Sequence, residues 1–225
     1  MPYTITSTEK LRKNGADAET KALLYLMNSH EDCNDIYYFV IDFFNDLTGM
    51  DRTAKHLWDV QSKAQKRASA GEIGKGLVTL FKNYMSEFEF NAYILFIGGV
   101  SKNVRKDNSI NVFGIENIKD ESIRRIKDGL VKEGIAKTYV DNSFLVDKNI
   151  NEFLAKITIV VDDGRSPSEY VKDIIAKYPK IIPDDAVLTA IFNEIRKKQA
   201  GKKDSNIVEG LALIRRMKQL ITADI

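Results

Sequence analysis

The feature that most constrains this chain is its longest apolar run, the eight residues from Tyr93 to Val100. It is far short of the roughly 20 residues that a membrane-spanning helix needs. A continuous apolar run of this length suits a buried strand, and Ala92 to Ile97 reads as one. A buried strand needs neighbours and cover, and the pattern on either side supplies both.

Ala22, Leu23, Leu26 and Met27 stand at helical spacing in a helix predicted over about residues 17–29, with Gly15 and Asp17 marking its start. Asp35 to Leu47 is rich in Tyr, Phe, Ile and Val and reads as one long strand. A turn at Thr48-Gly49-Met50-Asp51 and a shorter strand from Leu57 to Ala64 complete an expected hairpin. Ile73, Leu77, Leu80, Phe81 and Tyr84 predict an amphipathic helix over about 71–87. Further on, a short strand is expected near 110–115, a helix over 120–133, and mixed signals over 151–161 that end as a strand. Ser166-Pro167-Ser168-Glu169 reads as a helix start. Helices are predicted over 184–200 and 206–222, after a proline-bounded break from Tyr178 to Pro183. This order implies an α/β core with a helical C-terminal part.

At 225 residues the chain has room for one or two domains. Its 44% hydrophobic and 29% charged residues and mean hydropathy of -0.27 fall outside the disordered and membrane classes. The N-terminus lacks the apolar stretch of a signal peptide, so a cytoplasmic chain with no membrane association is expected. Cys33, the single cysteine, has no internal disulfide partner, and two histidines do not make a usual His/Cys zinc site. Structural zinc and haem are therefore not expected. Net charge is only +2, but it is segregated. Gln61 to Lys82 holds Lys63, Lys66, Arg67, Lys75 and Lys82 against Glu72 alone, and residues 190–225 hold eight basic against four acidic residues. Such patches are either solvated helix faces or phosphate contacts.

Side chains alternate along a strand, so Asp42 and Asp46 would share a face of the first predicted strand with Ile36, Tyr38, Val40 and Phe44. In the second, Leu57, Asp59, Gln61 and Lys63 share a face opposite Trp58 and Val60. If the two faces meet across the hairpin, Asp46, Asp59, Gln61 and Lys63 converge, offering oxygen ligands to a hard divalent cation beside one ammonium. That set suits metal-assisted attack on a phosphodiester, with lysine positioning the water or neutralising developing charge. Glu19 precedes Ala22, Leu23 and Leu26 by three, four and seven residues and so lies on the face expected to be buried. A buried carboxylate is costly unless paired or metal-bound, which makes Glu19 a candidate fourth member. Plainer roles are open to each residue: a turn aspartate, an exposed strand row, a first-turn helix acid.

Taken together these residues resemble the PD-(D/E)XK nuclease pattern: a helix with an acid (Glu19), a strand ending in an acid (Asp46), then a strand with (D/E/Q)-x-K (Gln61-Ser62-Lys63). The glutamine form is similar to that of the Mrr-like restriction nucleases. Gly15 to Met27, Val40-Ile41-Asp42-Phe43-Phe44-Asn45-Asp46 and Trp58-Asp59-Val60-Gln61-Ser62-Lys63-Ala64 are similar to the double-stranded DNA endonuclease domain of CD-NTase-associated (CBASS) anti-phage effectors, a domain type also found as the Lamassu nuclease subunit. The resemblance covers about residues 10–100 and loosens from there to about 200. It implies a restriction-endonuclease-like mixed central sheet flanked by helices over residues 1–180, with a helical assembly region over 184–225. It also implies a magnesium- or manganese-dependent endonuclease acting on double-stranded DNA as a bacterial anti-phage effector, with Asp46, Gln61 and Glu19 holding the metal and Lys63 serving the water. Implied partners are defence-system subunits such as an SMC-like ATPase and further copies of the chain in an active homo-oligomer. Two departures stand out: Ser62 replaces the valine of a Q-V-K motif, and a ligand-sensing domain is not evident. Whether Asp42 or Asp59 joins the metal site is left open, as is the alternative of a non-catalytic DNA-binding or assembly subunit.

Other signals are weak. Gly71-Glu72-Ile73-Gly74-Lys75-Gly76 lacks phosphate-loop spacing, His30, His56 and Cys33 show no nucleophile spacing, and Asp162-Asp163-Gly164 reads as a turn rather than a calcium loop. The stripes Val187, Leu188, Ile191, Ile195 and Leu211, Leu213, Ile214, Met217, Leu220, Ile221 must be buried against the chain's own core or another chain.

Overall fold

The computed structural model describes residues 13–162, 164–175 and 184–202. Helix α1 (Lys13–Asn28) precedes strands β1 (Tyr38–Ile41), β2 (Leu47–Met50) and β3 (Leu57–Lys63), helices α2 (Ala70–Gly76) and α3 (Val78–Tyr84), and strand β4 (Ala92–Ile97). β5 (Val112–Phe113), α4 (Asp120–Ala136), α5 (Asp147–Leu154), β6 (Ile157–Val161), α6 (Pro167–Ile175) and α7 (Asp185–Lys202) follow. The strands make one sheet in the order β1-β2-β3-β4-β6-β5. β1, β2 and β3 are antiparallel neighbours, β3, β4 and β6 run parallel, and β5 closes the far edge antiparallel. The molecule is thus the mixed central sheet flanked by helices, with a helical C-terminal part, that the sequence implies.

β4 lies in the middle of this sheet and is buried from Tyr93 to Ile97. Ile94 and Phe96 point into a cluster with Trp58 and Val60 of β3, Leu23 and Leu26 of α1, and Phe192 of α7. Tyr93, Leu95 and Ile97 point the other way, among Leu77, Phe81, Ile126 and Phe153 of the helices on the second face. Helices on both faces are what a parallel central ladder requires, and they explain the unbroken apolar run.

Four local expectations change. The strand expected over 35–47 is two strands, β1 and β2, separated by a turn at 42–46, and the expected turn at 48–51 is mostly strand β2. The β2–β3 turn falls at 51–56, where the Asp51 carboxylate accepts from the amides of Thr53 and Lys55. The helix expected over 71–87 divides at Leu77 into α2 and α3, next to Gly74 and Gly76, both poor helix formers. The mixed stretch before β6 contains α5, whose Ile150, Phe153 and Leu154 are buried at helical spacing. Asp162 forms a turn, its carbonyl accepting from the Arg165 amide, and its carboxylate takes Lys21 Nζ at 2.7 Å and Tyr170 Oη at 2.7 Å. The break at 178–183 and the helix expected over 206–222 lie outside the described residues.

Candidate active site

Asp46 ends the β1–β2 turn. The turn opens on Asp42 in the left-handed region (φ 55°), which aspartate tolerates better than most residues, and the Asp42 amide donates to the Asp46 carbonyl at 3.3 Å. Asp42 and Asp46 therefore do not share a strand face, because the chain reverses between them. Pairing of Leu47 with Val60 and of Thr48 with Asp59 brings Asp46, one step further, opposite Gln61. The period of two then places Asp46, Asp59 and Gln61 on one face of the sheet.

The contacts follow. Asp46 Oδ2 accepts from Gln61 Nε2, from the Ser62 amide at 2.8 Å and from Ser62 Oγ at 2.9 Å. Gln61 Oε1 accepts from Thr79 Oγ1 of α3 at 2.6 Å. Lys63, the next residue on this face and the last of β3, is exposed, and its ammonium makes no ion pair among the described residues. The hairpin thus joins Asp46 to Gln61 and leaves Lys63 beside them.

Asp59 has a different place. It is fully buried, and Asn45 Nδ2 donates to both its carboxylate oxygens at 2.9 Å while Asn83 Nδ2 donates at 2.7 Å. Burial pushes its acid up to about 7, against the opposing pull of the two amide donors and of the Lys82 ammonium. Lys82 is itself lowered by burial and lies over the Tyr139 ring. Asn45 neighbours Asp46, and Asn83 also donates to the Phe44 carbonyl, so Asp59 ties the turn carrying Asp46 to helix α3. It is a brace beneath the site rather than an open metal ligand.

Glu19 is half-buried on α1, in the layer packed on the Trp58 and Val60 face, whereas Gln61 and Asp59 meet α3 on the other. Among the described residues no three His, Cys, Asp or Glu side chains gather to hold an ion. Asn45, Ser62, Thr79 and Asn83 were not foreseen. Thr79 and Asn83 did carry a signal, two polar residues four apart on a short helix whose other residues, Lys82 aside, are apolar or aromatic. The basic segment also divides: Lys66 and Arg67 are exposed on the loop after β3, Lys75 on α2, and Lys82 is drawn down over Tyr139.

The donor chemistry fits a small hard cation. Magnesium commonly keeps several waters and takes only one or two carboxylates from a protein. Asp46 Oδ1 is left over by the contacts above. Gln61 would present its carbonyl oxygen once its amide turns over, and the Thr79 hydroxyl accepts as readily as it donates. Compared with family models, curated proteins and solved structures, the chain matches none.

Proposed function

We propose that this chain is a magnesium- or manganese-dependent endonuclease acting on double-stranded DNA, the effector subunit of a bacterial anti-phage system. The observation that supports this reading is the contact of Asp46 with Gln61 across the β2–β3 hairpin, one same-face step from Lys63, exposed and without an ion pair among the described residues. Asp46 and Gln61 would hold the cation; Glu19, on α1 in the layer against the opposite face of the sheet, is left out of this set. A bound cation would supply phosphoryl polarisation and a more acidic water. Ser62 and Thr79 keep the Asp46 carboxylate and the Gln61 amide in place. Lys63 would orient the attacking water or donate to the phosphoryl oxygen as its charge grows.

The test is incubation with supercoiled plasmid in magnesium and in manganese, with and without EDTA. Nicking or linearisation abolished by EDTA is the expected result. Retardation of the plasmid without cleavage would assign the chain to the non-catalytic DNA-binding class. A nuclease of low sequence selectivity endangers its own cell, so control by partner subunits or by oligomerisation belongs to the proposal.

A further inference from the structure

A second polar site lies at the carboxyl end of the parallel strands. The loop after β3 and the loop after β4 run side by side, the Ala68 amide donating to the Gly99 carbonyl and the Ser101 amide to the Ala68 carbonyl, each at 3.0 Å. Beyond them α2 and α4 cross closely enough that a Cβ on Gly74 would lie 2.0 Å from the Ile126 carbonyl oxygen, and one on Gly129 2.2 Å from that of Gly71. Loops and helices border an open cleft of about 400 Å³.

Its lining is cationic and hydroxylic. Lys75, Arg125 and Lys132 border it against one carboxylate, Asp128. Ser69, Ser101 and Ser122 also line it, with the exposed Asn103. Arg125 pairs with Glu121 one helical turn away, but both side chains are well exposed, so the pair is weak and easily exchanged for a phosphate. The cations do not stop at the rim: Lys66 and Arg67 stand exposed on the adjoining loop, between this cavity and Lys63 in the chain. A lone small anion would need the cavity alone, whereas a polyanion would use the row.

We infer that this cavity is a phosphate subsite for a nucleic-acid strand, set apart from Asp46 and reached along the loop that bears Lys66 and Arg67. The inference rests on the reading of the chain as a nucleic-acid enzyme, and its test measures binding rather than cleavage. Binding of a fluorescent duplex of about 20 base pairs to the full chain is followed by anisotropy in EDTA as salt is varied. The double variant Arg125→Ala/Lys132→Ala alters exposed side chains, and thermal melting checks its fold. It should weaken binding about tenfold or more and flatten the log-log salt slope by about 2, close to 0.9 per lost phosphate contact. Asp128→Asn should tighten binding, and Lys148→Ala, outside the cavity, should leave it unchanged.

Unchanged affinity and slope in the double variant would overturn the inference, as would an equal loss in Lys148→Ala. Saturation of the cavity by inorganic phosphate or AMP, abolished in the double variant while duplex binding is retained, would overturn it in favour of a small phosphate ligand. If the wild type fails to cleave in magnesium or manganese but the binding differences hold, the endonuclease reading falls and the subsite stands.

Discussion

At the scale of single residues, two charged groups on one face of β3 carry opposite duties. Lys63 is exposed and unpaired among the described residues, so its removal should leave the fold intact. If it acts on charge that develops only as the phosphodiester breaks, Lys63→Ala should lower kcat by about a hundredfold or more, with duplex binding changed little. Single-turnover cleavage beside anisotropy in EDTA measures both, and equal cleavage by variant and wild type would remove the role. Asp59 is buried with its acid raised to about 7, while the unfolded chain titrates it near 3.9. Between those values the folded protein binds the extra proton, so this residue's stabilising contribution is complete below about pH 4. It is lost as pH rises through 7, at up to about 1.4 kcal/mol per pH unit. Asp59→Asn keeps an acceptor for Asn45 or Asn83 and gains a donor for Asn83 Oδ1, which is buried without a partner among the described residues. Urea unfolding at pH 5 and pH 8 should show the variant gaining on the wild type as pH rises. An unchanged difference would mean that the brace is not sensitive to charge.

At the scale of elements, legibility followed the physics of each signal. β4 and α4 were clear because a buried apolar run and a 3.6-residue stripe are strong, local patterns. The split of 35–47 was hidden because the turn is made of Asp42, Asn45 and Asp46 set among aromatic residues, with no glycine or proline to mark it. Asp46 nevertheless meets Gln61, because the observed register of β2, which takes up most of the expected turn, sets the residue before it opposite Gln61. The braces on that pair, Asn45 and Asn83, depend on tertiary packing of α3 on the sheet, which no spacing within the chain encodes. Gly71 to Gly76, which imitates a phosphate loop in sequence, forms α2, and Gly74 serves close helix packing. Gly74→Ala would press a methyl group onto the α4 backbone, which cannot move aside as a side-chain tip can. A loss of about 1–3 kcal/mol or more is expected, read as a lower urea midpoint; a neutral variant would show that α2 can shift away from α4.

At the scale of the whole molecule, the question is what the last described helix belongs to. Leu188, Phe192 and Ile195 of α7 are buried in the same cluster as Leu23 of α1 and Trp58 of β3, and Arg196 pairs with Asp17 at 2.6 Å. α7 also packs against α6. Val187, from the same apolar stripe, is by contrast exposed. Burial of one large apolar side chain is worth about 1.5–3 kcal/mol, so the three together supply a large share of the roughly 5–15 kcal/mol that keeps a domain folded. Phe192→Ala should cost about 3–5 kcal/mol, and a chain truncated after Pro183 should bare the α1 face of the core and aggregate. Light scattering and circular dichroism on the truncated chain measure this directly. A soluble, cooperatively folding truncation that has lost self-association would instead assign 184–225 to assembly, with its burial on α1 secondary. Loss of fold would show that the central sheet and this helix stand or fall together, leaving residues beyond 202 as the part of the chain to test for partner binding.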